Sequence, residues 1–139
     1  EYTLTGLSGC PENRDHLRID RKKYTKFIEV HESLDIRIMD VKYMRFEDNA
    51  PDVVMCMGVL EHLEVKDFNN AVRELRRVAR NKLIMSAPFE EENLPAYHKQ
   101  RFTRKGLAKT FPDAEIKLLV KPQPGVWPWA FIIENSPQS

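Results

Sequence analysis

The sequence predicts an α/β domain with a mostly parallel sheet, and residues 52–88 carry most of that prediction. Residues 52–57 form an apolar run of the kind found in strands that are covered on both faces. An amphipathic helical pattern follows, and residues 82–87 form a second apolar run closed by Pro88. Strand, helix and strand in this order make one crossover unit of a parallel sheet.

The helix of this unit is predicted from the spacing of its apolar residues. They recur at i, i+3, i+4, i+7, i+10 and i+11, which places them on one stripe: Phe68, Ala71, Val72, Leu75, Val78 and Ala79. Asp67 stands before the stripe as the predicted N-cap. Charged residues occupy the other face, and the arginines gather toward the C-terminal end, where the helix dipole favours cations.

The N-terminal part of the chain gives less regular patterns. They are, in order, strand candidates at residues 2–7 and 16–19, a helix at 21–33, a strand at 35–39 and a loop at 42–51. Asp20 precedes the helix in the position of an N-cap.

The C-terminal part predicts one more helix and two strands. Thr103 is the predicted N-cap of a helix that extends to about Phe111. Residues 115–121 and 129–134 are predicted strands, separated by a proline-rich turn, and they form a closing antiparallel hairpin. The acidic residues 89–96 are expected to form a mobile edge over the site.

Composition indicates one domain over residues 1–139. Hydrophobic residues make up 42% of the chain and charged residues 31%, as in ordinary globular proteins. No apolar run approaches the ~20 residues that span a bilayer. Two cysteines give no disulfide framework, which fits a cytoplasmic protein. The net charge of +1 argues against a dedicated nucleic-acid binder. Because the chain opens with Glu1, we expect a segment of a longer protein or a chain whose start is absent.

The most distinctive motif follows the first apolar strand. Met57 and Gly58 lead into V-L-E-H-L, an A-x-R-E-L-R-R-V helix and an L-I-x-S-x-P strand. In this order the segment resembles class I S-adenosylmethionine-dependent methyltransferases that act on small molecules. Residues 35–49 are similar to the family's strand, acid and L-P-F-x-D-N segment, and residues 97–103 to its H-x-x-x-F-T helix start. The resemblance covers about residues 15–134. It implies a Rossmann-like methyltransferase fold, shortened at the N terminus, with S-adenosylmethionine as the cofactor.

The resemblance assigns cofactor contacts to residues at strand ends. Asp20 matches the acid that binds the ribose hydroxyls, and Asp40 with Val41 matches the adenine contact. Met57 and Gly58 match the turn whose backbone meets the amino-acid end of the cofactor. Carboxylates suit the first two positions because they accept strong hydrogen bonds from hydroxyl and amino groups. The residues alone leave other roles open: a helix cap for Asp20, a strand-end turn for Asp40 and core packing for Met57.

Four residues are candidates for the methyl-acceptor side. His62 is the candidate catalytic residue, because imidazole can accept a proton near neutral pH. Packing against the cofactor and a structural role stay open for it. Glu61 is expected to orient a neighbour or to cap the following turn, and Tyr97 and His98 to contact the substrate. No metal site is predicted, because the histidines lack a ligand spacing and the adjacent side chains of Glu61 and His62 are expected to point in different directions.

The N-terminal glycine loop departs from the family pattern. Gly6 and Gly9 are three positions apart instead of two, and Leu4 stands where the family has an acid. Three explanations are open: a loop upstream of this chain, a remodelled loop that still binds cofactor, or a domain that has lost its cofactor.

These observations lead to one main functional hypothesis and two alternatives. The main hypothesis is transfer of a methyl group from S-adenosylmethionine to a small-molecule acceptor. The first alternative is a non-catalytic module of the same fold that acts through protein contacts, with Trp127 and Trp129 as candidate interface anchors. The second is a methyltransferase directed at nucleic acid. The sequence does not indicate the acceptor or the oligomeric state.

Overall fold

The computed structural model describes residues 3–4, 35–36, 39–119 and 128–136. The chain divides into two units, Glu1–Arg45 and Phe46–Ser139. In the first unit, β1 (Thr3–Leu4) pairs in parallel with β2 (Asp35–Ile36), within the predicted strands at 2–7 and 35–39. The predictions for Gly6, Gly9, Asp20 and residues 16–33 lie outside the described residues.

In the described part of the second unit, four strands form one sheet and two α-helices accompany it. Its elements follow in the order β3 (Val53–Met57), a 3₁₀ turn (Leu60–His62), α1 (Val65–Val78), β4 (Lys82–Pro88), α2 (Arg104–Thr110), β5 (Glu115–Leu119) and β6 (Trp129–Asn135). The strands are arranged β3-β4-β6-β5, with β3 parallel to β4 and β6 antiparallel to both of its neighbours. The predicted crossover unit and the closing antiparallel hairpin are therefore confirmed.

Helix α1 buries the predicted stripe but begins earlier than the sequence indicates. Five residues of the stripe are buried: Ala71, Val72, Leu75, Val78 and Ala79. The prediction of Asp67 as N-cap is wrong, because Glu64 is the N-cap and Asp67 lies in the first turn. The backbone N–H groups of Asp67 and Phe68 both bond to the carbonyl of Glu64. The early start is invisible to a periodicity argument, because Val65 is exposed and adds nothing to the stripe. The Asp67 carboxylate still interacts favourably with the helix dipole.

Helix α2 is capped as its sequence predicts. The Thr103 hydroxyl accepts a hydrogen bond from the backbone N–H of Gly106 at 3.1 Å. Phe111 follows the last turn and is almost fully buried in the core. A side-chain hydroxyl that satisfies one free N–H of the first turn is the usual reason for threonine at this position.

Three arginines form ion pairs within the protein, two in α1 and Arg80 just after it. Arg76 binds Glu134 of β6, and Arg80 binds Asp52 just before β3. Arg77 binds Glu74 on its own helix and Asp48 in the preceding loop. These pairs join α1 to its neighbours, which favours the reading of this basic run as a structural helix face. No helix in the described part of the chain is long and apolar enough to cross a membrane.

Candidate functional site

The chain turns sharply at the carboxyl end of β3, where α/β sheets place their ligands. Gly58 has a φ of 62°, in the left-handed region, and its N–H donates to the hydroxyl of Ser86 on β4 at 3.1 Å. A Cβ at this position would lie 3.4 Å from Oε1 of Glu61 and 3.7 Å from the ring of Trp129. The turn therefore favours glycine, because its φ lies in the left-handed region that residues with a Cβ rarely adopt.

Glu61, in the 3₁₀ turn, has a buried carboxyl group. The residue is 1% exposed, and its Oε2 has no hydrogen-bond partner among the described residues. Burial raises the pKa of Glu61, and the nearby carboxylate of Glu91 acts in the same direction, while His62 and His98 act against them. A buried and unsatisfied carboxyl oxygen destabilises a fold, so its presence calls for a functional explanation.

His62 lies beside this carboxyl group. Its Nδ1 is 3.0 Å from the backbone carbonyl of Tyr97, and its Nε2 is 3.9 Å from Oε1 of Glu61. A carbonyl can only accept, so Nδ1 carries the proton and Nε2 keeps its lone pair. The prediction that Glu61 and His62 point in different directions is wrong. Successive residues of a 3₁₀ turn are about 120° apart, which allows a long glutamate side chain to reach its neighbour.

His98 completes the cluster from a second segment of the chain. Its Nδ1 is 2.8 Å from Oε2 of Glu91, which is 4% exposed. The ring of His98 packs edge-on against the rings of His62 and Tyr97, with centroids 5.1 and 4.7 Å apart. The structure therefore brings together all four residues that the sequence assigned to the acceptor side.

Two hydrogen-bonding residues hold these segments together. The backbone N–H of Lys99 donates to the carbonyl of Glu61 at 2.7 Å. The side chain of Gln100 donates to the carbonyls of Leu60 and Leu63, at 2.7 and 3.2 Å. The histidine segment is thus fixed to the 3₁₀ turn at several points.

The acidic loop contributes the carboxylate of Glu91, which the sequence does not single out. Phe89 bridges to Phe102, and the N–H of Glu90 bonds to the carbonyl of Phe102, so the loop is fastened where it leaves β4. This pairing buries Glu91 against His98. Glu90, Glu91 and Glu92 are identical in type, and no local signal in the sequence distinguishes the buried one. Glu91 is therefore buried within residues 89–96, and the mobility of this segment stays a prediction.

The predicted cofactor residues in the described part keep their candidate roles. Asp40 lies at the start of a turn, where its carboxylate accepts a hydrogen bond from the backbone N–H of Lys42 at 2.9 Å. Val41 is buried. Met57 is 41% exposed, so the alternative of core packing is wrong for this side chain. Cofactor contacts by Asp40, Val41, Met57 and Gly58 stay predictions.

Cys56 is expected to be chemically inert in the folded protein. Burial in β3, together with the charge of Glu61, raises its pKa to about 12, so almost no thiolate exists at pH 8. A Cys10→Ser variant leaves Cys56 as the single thiol. We expect Ellman's reagent to modify it at least about 100-fold more slowly in buffer than in denaturant. Reaction in buffer at the rate of a free thiol would contradict this prediction.

Comparison with known proteins identifies the family. A family model described as "Methyltransferase domain" matches residues 2–85, which is more than half of the chain. The chain belongs to this family. It is a class I S-adenosylmethionine-dependent methyltransferase domain, as its sequence pattern indicates. A search of curated proteins finds no match.

Solved structures with a similar fold are distant in sequence. The 1,6-didemethyltoxoflavin-N1-methyltransferase of Burkholderia thailandensis has a TM-score of 0.69 and 16% identity, over 96% of this chain and 60% of that chain. PH0226 protein of Pyrococcus horikoshii OT3 has a TM-score of 0.64 and 15% identity, over 98% and 71%. The [4+2]-cyclase SpnF has a TM-score of 0.60 and 14% identity, over 99% and 75%. At these identities the likeness shows the fold alone. This chain spans about three fifths of the Burkholderia enzyme.

Proposed function

We propose that this domain transfers a methyl group from S-adenosylmethionine to a small-molecule acceptor. The observation that carries the proposal is the cluster of Glu61, His62, Tyr97 and His98 next to the Gly58 turn. A methyltransferase must hold an acceptor close to the cofactor, and many acceptors must also lose a proton. The cluster offers a proton-accepting nitrogen beside the strand end where the family binds its cofactor.

The proposal includes a cytoplasmic location and a single domain over residues 1–139.

The cofactor side of the proposal follows the family pattern. When bound, S-adenosylmethionine supplies an electrophilic methyl group. Asp20 would bind its ribose, Asp40 and Val41 its adenine, and the backbone at Met57 and Gly58 its amino-acid end. The Gly58 turn fits this role, because glycine adopts its left-handed φ of 62° and presents a backbone without a Cβ.

On the acceptor side, His62 is the proposed catalytic residue. Its Nδ1–H is held by the Tyr97 carbonyl, so Nε2 is free to take a proton from the acceptor nucleophile. The carboxyl group of Glu61, 3.9 Å away, would stabilise the resulting imidazolium. The Tyr97 ring is exposed and lies against both histidines, where it would contact the substrate.

Two structural neighbours act on small molecules according to their names, 1,6-didemethyltoxoflavin in one case and magnesium protoporphyrin IX in the other. This supports a small acceptor by analogy of fold only. The non-catalytic alternative is favoured by the altered glycine loop, and the neighbour SpnF carries the name of a cyclase. Trp129, one of the two candidate interface anchors of the non-catalytic alternative, is half-buried in β6 with its ring against Gly58. It is therefore poorly placed as a free interface residue. Trp127 lies outside the described residues.

Calorimetric titration with S-adenosylhomocysteine tests the proposal. We expect micromolar binding by the wild-type chain and at least about 10-fold weaker binding by Asp40→Ala, because a hydrogen bond to a charged group is lost. Asp113→Ala removes an exposed aspartate after α2 and should bind like the wild type. Absence of binding by a sample that is folded by circular dichroism would refute cofactor use by this chain.

A further inference from the structure

We propose that Glu61, His62 and His98 form a binding site for a divalent transition metal ion such as Zn²⁺. One ligand atom from each of the three residues lies within 4.8 Å of the other two. The proposal goes beyond methyl transfer, because the ion can be detected without any methyl acceptor. It also revises the expectation from the sequence that no metal site exists.

The first argument is the state of the two imidazole rings. Nδ1 of His62 faces the Tyr97 carbonyl, and Nδ1 of His98 faces the Glu91 carboxylate. Both acceptors hold the proton on Nδ1, which leaves the lone pair of each ring on Nε2. A ligating histidine typically donates its other N–H to a carbonyl or a carboxylate, which fixes the tautomer and the orientation of the ring. Both histidines already have this second partner.

The second argument is the unsatisfied oxygen of Glu61. Its Oε2 is buried and has no hydrogen-bond partner within the described ranges. A cation bound between the carboxylate and the imidazoles would satisfy this oxygen and favour the ionised carboxyl group that burial disfavours. We therefore assign Glu61 the role of a metal ligand rather than that of a residue that only orients a neighbour.

The third argument concerns distance and rigidity. Tetrahedral ligands about 2.1 Å from Zn²⁺ are roughly 3.4 Å apart. Nε2 of His62 and Oε1 of Glu61 are 3.9 Å apart, so only a small closure is needed there. Hydrogen bonds from Lys99 and Gln100 to the backbone of the 3₁₀ turn already fix the segment that carries His98.

The donor set selects the kind of ion. Two imidazoles and one carboxylate are the ligands of many catalytic zinc sites and of other first-row transition metals. Mg²⁺ prefers oxygen ligands and keeps most of its water, so we expect it to bind poorly here. Three protein ligands leave at least one coordination position open to water or to an acceptor atom.

The site is not a direct consequence of family membership. The family model matches residues 2–85, and His98 lies beyond that segment. When the ion is bound, His62 is a ligand and no longer the base. In that state the ion would lower the pKa of an acceptor hydroxyl bound to it, and the proton of that hydroxyl would pass to solvent. This consequence for the acceptor rests on the proposed function, whereas the binding of the ion does not.

Metal titration of the full chain tests the proposal. The protein is stripped with EDTA, freed of chelator and titrated with Zn²⁺ in competition with a chromogenic indicator, and with Co²⁺ by visible absorption. We expect one ion per chain with a Kd at or below about 1 μM. Glu61→Gln and His98→Gln should each weaken binding at least 10-fold, because each removes a ligand. Millimolar Mg²⁺ should not displace Zn²⁺.

The matched control is Glu92→Gln, the same substitution on an exposed carboxylate of the neighbouring loop, and it should bind like the wild type. Failure of the wild type to bind Zn²⁺, or binding that both ligand variants keep, would overturn the site. His98→Gln decides the question if Glu61→Gln does not fold. S-adenosylhomocysteine titration of the same samples distinguishes a failed metal site from a failed methyltransferase.

Discussion

Glu61→Gln should make the metal-free protein more stable at pH 8, by about 1–3 kcal/mol in the free energy of unfolding. Glu61 is 1% exposed, with one carboxyl oxygen unsatisfied among the described residues. At pH 8 the wild-type protein must hold a buried charge or keep a proton that solvent would otherwise take. Glutamine has nearly the same shape and no charge, so the cost of the buried charge disappears, while a polar side-chain atom still occupies the position of Oε2.

The sign of the pH dependence follows from the direction of the pKa shift. Burial raises the pKa of Glu61 above the usual 4.5, so between the two values the folded state binds more protons than the unfolded state. Stability from this group is therefore complete below about pH 4.5 and is lost as the pH rises through the folded pKa. The groups that face it are Glu91, which raises the pKa further, and His62 and His98, which lower it. The charge of Glu61 also raises the pKa of Cys56 on β3.

Urea unfolding of wild type and Glu61→Gln at pH 5, 6, 7 and 8, in the presence of EDTA, measures this difference. We expect the stability gain of the variant to grow with pH, and the gain of the control Glu92→Gln to stay near zero at every pH. The other titrating groups remain in both proteins, so the difference isolates Glu61 and its coupling to them. A wild type that is more stable than Glu61→Gln at pH 8 would contradict the prediction.

Such a gain in stability, combined with loss of Zn²⁺ binding, would indicate that Glu61 is kept for function. Functional sites often contain groups that destabilise the fold on their own. A carboxylate that only stabilised the 3₁₀ turn would show the opposite pattern, because its replacement would lower stability and leave metal binding unchanged.

The sequence predicts the framework of this domain because its signals there are local. The apolar spacing predicts α1, the apolar runs predict β3 and β4, and Thr103 predicts the start of α2. The start of α1 is missed because its first residue, Val65, is exposed. Periodicity reports which face is buried and says little about where a helix begins.

The sequence predicts which residues belong to the site but not all of their contacts, and the physical reason differs from that for the helix start. The sequence predicts Tyr97 and His98 as substrate-side residues, and the structure brings both rings against His62. The role of Glu91 depends on its burial, which arises from the pairing of the loop with a distant segment. The approach of Glu61 to His62 depends on the 3₁₀ geometry of their turn. Neither arrangement can be predicted from the spacing of residues in the sequence.

Gly58→Val should lower the free energy of unfolding by about 2–5 kcal/mol and abolish Zn²⁺ binding. The backbone at Gly58 has a φ of 62°, which costs an ordinary residue about 1–2 kcal/mol and a β-branched residue more. The added methyl groups would also extend beyond the Cβ position, which already lies 3.4 Å from Oε1 of Glu61 and 3.7 Å from the ring of Trp129. One of these side chains must then move, and displacement of Glu61 removes a metal ligand.

Two alanine variants separate the backbone contribution from the contact contribution. Gly58→Ala adds only the Cβ, at ordinary contact distance, so it should lose about 1–2 kcal/mol and keep most of its metal affinity. Gly106→Ala places the same methyl group in α2, where φ is not in the left-handed region and the nearest atom is Oγ1 of Thr103 at 3.2 Å. The better helix propensity of alanine offsets that contact, so we expect a change within about 1 kcal/mol. Equal losses for Gly58→Ala and Gly106→Ala would show that the left-handed turn after β3 is not what requires glycine. If Gly58→Val bound Zn²⁺ with wild-type affinity, the conformation of the Gly58 turn would not be required for the metal site.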